Sequence, residues 1–206
     1  MAIVQNPHIG RSSGKFSTGV FATVLGRNVL RSKALTVSNP KTLPQQKVRE
    51  KLATLSFFAK LFALAVNVGF KDDAVAMYPR NYFVKANYDA ITISDLLAPT
   101  IAWHHFMLSK GGLCTIANPV ADIDGTDIDF TWELYADVID PDWEMAIVIT
   151  KGSIEDTRIV MTAAKAEDLT VTLVKGDFVA GDKVYMFAYD PTTLVSSDSV
   201  YTAIIS

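Results

Sequence analysis

Three features of the chain predict an α+β protein. The first forty residues are basic and carry short β-prone runs. A proline-bracketed turn then feeds a long apolar helix. From about Thr100 the pattern changes to short alternating apolar runs cut by Gly, Asp and Pro turns, the signature of a β-sandwich. The expected organisation is an extended arm with a β-hairpin at 1–38, a helical region at 39–95 and a sandwich at 96–206.

In the arm, GRSSGKFSTG (10–19) is turn-prone, and VFATVL (20–25) and NVLRSKAL (28–35) flank Gly26-Arg27 as a hairpin pair. A two-stranded hairpin is marginal in water, so it must lie on another surface. Asn39-Pro40 then marks a turn. Thr42 is a good N-cap with Gln45 three residues later, and Pro44 falls in the first turn, where its missing N–H does little harm. The helix should run from about Leu43 to Asn67 and stop near Gly69. Val48, Leu52 and Leu55 form its early stripe, and from Phe57 to Val68 it is apolar nearly all round. Such a helix needs covering on every side, which suggests packing against other copies. The positions expected at assembly interfaces are Phe16, Phe21, Val29 and Leu30 in the arm and Leu55, Phe58 and Phe62 in the helix.

A weaker helical segment centres on 81–91. The sandwich strands are expected at 101–108, 113–118, 128–134, 144–150, 158–162, 169–174, 183–189 and 199–205.

The stretch 52–68 contains Lys60 and is shorter than the ~20 apolar residues a bilayer needs, so it reads as a buried helix rather than a membrane insertion. Cys114 is the single cysteine, which excludes an internal disulfide and any cysteine-based zinc cluster. The opening MAIVQNPHIGRSSGKF lacks the apolar run of a signal peptide. Assembly in a reducing bacterial cytoplasm is therefore the expectation, followed by residence in a virion or extracellular particle.

Charge is polarised. Residues 1–71 hold eleven Lys/Arg and one acid, Glu50, for a net +10, whereas 72–206 hold eight Lys/Arg and 21 acids, for a net −13. Arg11, Lys15, Arg27, Arg31, Lys33 and Arg49 are the expected electrostatic contacts. Their partner is the acidic face of another copy or, as an alternative, nucleic acid phosphates.

Chemistry-bearing motifs are sparse. His104 and His105 are adjacent and point to opposite faces if they lie on a strand. Asp122, Asp124, Asp127 and Asp129 in DIDGTDID resemble a calcium loop only weakly. Gly125 is at position four rather than six, and Glu133, at position twelve, falls in an expected strand. No nucleophile motif or phosphate loop is present, so a non-enzyme without cofactors is expected.

Trp132 in IDFTWEL and Tyr185 at the start of a late strand resemble the fibronectin type III layout. That resemblance implies structural-core roles for both, with the Tyr185 hydroxyl tied to upstream backbone. The whole chain resembles a family of uncharacterised proteins from bacterial and phage-related genomes, through GRSSGKF, GRNVLRSKAL, NPKTLPQQ, the FTW of 130–132 and SDSVY (197–201). Ala34 stands where that family often has proline. The resemblance implies a basic opening, a hinge, a helix and a C-terminal Ig-like sandwich. NPKTLPQQKVR also resembles an NP-x-T-x-x-Q-x-x-x-R segment that recurs in phage and prophage structural proteins.

The functional expectation is a self-assembling structural protein, a homo-oligomer that meets other structural proteins of a phage-type particle in its capsid or tail. The alternative is a surface adhesin or carbohydrate- or protein-binding module using the sandwich loops, favoured if Trp103 and Trp143 cluster on one loop face.

Overall fold

The computed structural model describes residues 2–3, 13–24, 26–34, 36, 38–136, 140–152, 157–161 and 164–205; the side chains of Ala2, Ile3 and Phe16 lie outside that description. The chain divides into two compact units, Met1–Thr42 and Leu43–Ser206.

The first unit is a small sheet. Strands β1 (Ala2–Ile3), β2 (Gly14–Phe16), β3 (Gly19–Val24) and β4 (Arg27–Ser32) lie in the order β1-β4-β3-β2, all antiparallel. The β3–β4 turn passes through Gly26 at φ 76°, a left-handed value that glycine adopts without strain. Lys33 N–H closes the β4 end on the Thr18 carbonyl at 2.6 Å.

The second unit begins with α1 (Leu43–Leu61), α2 (Ala63–Gly69) and α3 (Pro79–Ala86). A two-stranded ribbon follows, β5 (Ile91–Ile93) with β6 (Pro99–Ile101). The remainder is a seven-stranded curled sheet: β7 (Thr115–Asp124), β8 (Asp127–Tyr135), β9 (Glu144–Thr150), β10 (Thr157–Val160), β11 (Thr170–Val174), β12 (Lys183–Tyr189) and β13 (Val200–Ile205). Its order is β10-β9-β12-β13-β7-β8-β11, and β13 with β7 is its one parallel pair among the described residues.

Two cores explain the layering. Alternate residues of β9 and β12 (Ala146, Val148, Tyr185, Phe187, Tyr189) pack against the helices with Leu55, Phe58, Phe62, Phe70, Phe83 and Phe106. The intervening residues (Met145, Ile147, Ile149, Val184, Met186, Ala188) face the other way, onto Ile116, Ile128, Phe130 and Trp132 of β7 and β8. A strand covered on both faces has no solvent side, which is why EMAIVIT and KVYMFAY are nearly continuous apolar runs. The outer halves β7, β8 and β11 alternate instead, because one face meets solvent.

The helix expected over 43–67 is broken at Phe62, and α1 and α2 diverge by 88°. Neither Gly nor Pro marks the break. Phe62 sits between helices with φ −93° and ψ 22°, its ring stacked on Phe58 at 5.8 Å and packed on Phe106 at 6.2 Å. Aromatic packing therefore turns the chain. Among the described residues no single helix is long and apolar enough to cross a membrane. The strand expected at 101–108 is also replaced. Only Ile101 ends β6, and Trp103–His105 form a 3-10 turn that places the His104 and His105 rings 4.1 Å apart and exposed.

Candidate functional site

Buried motifs and exposed motifs separate cleanly. SDSVY, with Ser196 just before it, is structural. Ser196 Oγ donates to the Gly69 carbonyl at the end of α2 (3.0 Å), and the Ser109 hydroxyl donates to the Ser197 carbonyl. Leu108 N–H donates to Ser199 Oγ (3.0 Å), and Ala188 N–H donates to Ser197 Oγ (2.9 Å). These serines join α2, the segment before β7 and the β12–β13 connection, and they spend their hydroxyls on backbone, as buried polar groups must. FTW is structural too: Phe130 and Trp132 face inward, and the Trp132 indole N–H donates to the Ala166 carbonyl at 3.0 Å.

Tyr185 is fully buried on the helix-facing side of β12, and its hydroxyl donates to the Trp103 carbonyl at 2.8 Å. The backbone it ties is the 3-10 turn of the helical layer, 82 residues upstream. Burial drives its phenol far above the ordinary range. Asn87 ends α3 and clamps Met107 from both sides: Met107 N–H donates to Oδ1 (2.6 Å) and Nδ2 donates to the Met107 carbonyl (2.8 Å). No sequence motif pointed to Asn87.

The interface expectation divides. Leu55, Phe58 and Phe62 are at most 3 % exposed and belong to this chain's own core, so they are corrected from assembly contacts to core residues. The all-round apolar pattern that suggested other copies is satisfied by α3, the ribbon and the β9–β12 face. Phe21, Val29 and Leu30 lie on β3 and β4 and are only half-buried. Arg11 lies outside the described residues, as does the side chain of Phe16. Lys15, Arg27, Arg31, Lys33 and Arg49 are exposed.

The four aspartates of the suggested calcium loop do not converge. Asp122 pairs with Asp129 and Asp124 with Asp127 across the β7–β8 hairpin, so their side chains project in parallel from one sheet face. Among the described residues no group of three or more His, Cys, Asp or Glu is placed to hold a metal ion.

A cleft of about 760 Å³ opens beside Gly111, Cys114, Ile116, Leu134, Asp198 and Val200. Burial pushes the Cys114 thiol up to about 11, the reverse of what a reactive thiolate needs. Along β8, the Tyr135 hydroxyl donates to Glu133 at 2.6 Å and holds that carboxyl below its usual range.

What distinguishes the first unit is how little its described residues bury. Among its described residues none is buried. It carries six Lys/Arg and no acid, while 43–206 carries the other thirteen Lys/Arg and all 22 acids, giving +6 against −9.

Fold and surfaces together define a two-unit α+β protein, with a cationic sheet whose described residues are all at least partly exposed and a well-packed helix-and-sheet body. Residues 11–203 match the family of unknown function DUF6266, and the chain belongs to that family. No curated protein and no solved structure matches it.

Proposed function

We propose that this is a non-enzymatic, self-assembling structural protein whose N-terminal unit docks on other copies. The observation that carries this reading is the coreless arm: a four-stranded sheet of 42 residues with no buried side chain among those described. A sheet that small cannot offset its ordering entropy alone, so its strands need a covering surface. The opposite charges of the two units supply attraction between copies.

In this reading the curled sheet is an Ig-like sandwich. Its order keeps β7, β8 and β11 as one layer and β10, β9, β12 and β13 as the other, with the parallel β13–β7 pair joining them. The particle is of phage or prophage type, in capsid or tail, on the strength of the NPKTLPQQKVR resemblance. Support for an adhesin is weak, because Trp103 packs with the helix-side core and Trp143 with the opposite core. The two indoles do not share a face.

The test is the solution mass, by light scattering, of the full chain and of the chain lacking residues 1–38. Among the described residues every buried apolar one lies at or beyond Leu55, so the deletion leaves both cores intact. A discrete oligomer that falls to monomer on deletion is expected. A full chain that is monomeric at all concentrations contradicts the proposal.

A further inference from the structure

The register of the arm sorts its charges. Opposed residues of an antiparallel pair share a face. Lys15 opposes Val20, which opposes Arg31; Ala22 opposes Val29, and Val24 opposes Arg27. Lys15, Arg27 and Arg31 are therefore on one face, among Val20, Ala22, Val24 and Val29. They are the only charged residues of the four strands. The opposite face of the β3–β4 pair carries Phe21, Leu30, Thr23 and Asn28 and no charge. The Thr23 hydroxyl meets Asn28 Oδ1 at 3.0 Å there, as the register requires. One side of the arm is thus a cationic and aliphatic surface, with its three cations exposed.

The body has a surface of matching chemistry. Strands β7, β8 and β11 contain five acids and no Lys or Arg. Asp122, Asp124, Asp127, Asp129 and Glu133 all alternate with the inward-facing residues Ala121, Ile128, Phe130 and Trp132, so they project from the outer face. Two pairs of aspartates sit directly opposite one another, an arrangement that is destabilising until a cation answers it. Val120, Thr131, Thr170 and Val174 lie exposed between the acids, so this face too mixes charge with β-branched side chains.

We infer that the Lys15–Arg27–Arg31 face of one copy's arm docks on the acidic outer face of β7–β8–β11 of a second copy. The inference deepens the assembly reading and rests on it. Charge complementarity selects the surface, and the assembly reading supplies the second copy. The arm joins the body at α1, whose core residues lie on the helix-facing side of β9 and β12. The acidic face is on the far side, beyond two packed sheet layers about 10 Å apart. Residues 33–42, the ten between β4 and α1, span at most ~35 Å fully extended. A tether of that reach lets the arm extend to the face of a neighbouring copy.

The test is charge reversal on the full chain, read as solution mass. One variant carries Lys15→Glu, Arg27→Glu and Arg31→Glu; the other carries Asp122→Lys and Asp124→Lys, both at exposed positions. Each variant alone is expected to be monomeric where the wild type is assembled, and an equimolar mixture to regain the assembled mass. Far-UV circular dichroism checks that each is folded. If the arm reversal disturbs folding, the neutral set Lys15→Gln, Arg27→Gln and Arg31→Gln replaces it, with at least tenfold weaker assembly expected. Reversed variants that assemble like the wild type overturn this contact and leave arm-mediated assembly standing. A wild type that is monomeric throughout overturns both. An arm variant that keeps its mass but loses retention on a random-sequence oligonucleotide assigns the cationic face to nucleic acid and overturns the inference.

Discussion

Gly69 shows how one residue can hold two layers together. It closes α2, and a methyl group in place of its hydrogen would meet the Ser109 side chain and the Leu108 carbonyl. Its own carbonyl accepts from Lys110 N–H at 2.9 Å and from Ser196 Oγ at 3.0 Å. Backbone has little room to give at this spot, and overpacking of a close-packed site typically costs about 1–3 kcal/mol. Gly69→Ala is therefore expected to lower stability by about 2 kcal/mol, read from the urea midpoint of the chain lacking residues 1–38. An unchanged midpoint contradicts the close approach. The sequence placed a helix stop near Gly69 but carried no sign of the serine cluster beneath it, because serine hydroxyls seeking backbone carbonyls have no periodicity. Asn87 was silent for the same reason: its clamp on Met107 spans twenty residues and leaves no local pattern.

At the scale of elements, what was legible depended on what each strand faces. β9 and β12, covered on both sides, were readable as apolar runs at 144–150 and 183–189 and stand at those bounds. β8, solvated on one side, was readable from alternation. The helix break was not readable, since Phe62 obeys the helical pattern and the turn is made by Phe58 and Phe106. The short β5–β6 ribbon, three residues a strand, is below the length at which alternation means anything. Phe62 is the pivot of this layer, fully buried against two aromatic rings. Truncating a buried phenylalanine typically costs about 3–5 kcal/mol. Phe62→Ala is expected to cost that much, seen as a fall in the thermal midpoint of the same truncated chain. A loss below about 1 kcal/mol would mean that other contacts set the bend.

The whole molecule has two units of opposite charge, a small cationic sheet with no buried residue among those described and a well-packed acidic body. The charge asymmetry was plain in the sequence, and the expectation that the arm seeks a covering surface rests on its small size. Where the apolar helix buries itself was misread: Leu55, Phe58 and Phe62 answer to their own chain. The cationic face was also hidden, because it exists only once register places Lys15 beside Val20 and Arg31.

The most direct test of that central claim is backbone amide hydrogen exchange of β3 and β4 in the full chain, followed as protein concentration is varied. Protection is expected to be strong where the protein is assembled and to fall by at least an order of magnitude on dilution to monomer, while β9 and β12 stay protected throughout. Arm amides that remain equally protected in the monomer would show that the sheet is stable without a second copy, and would contradict the account.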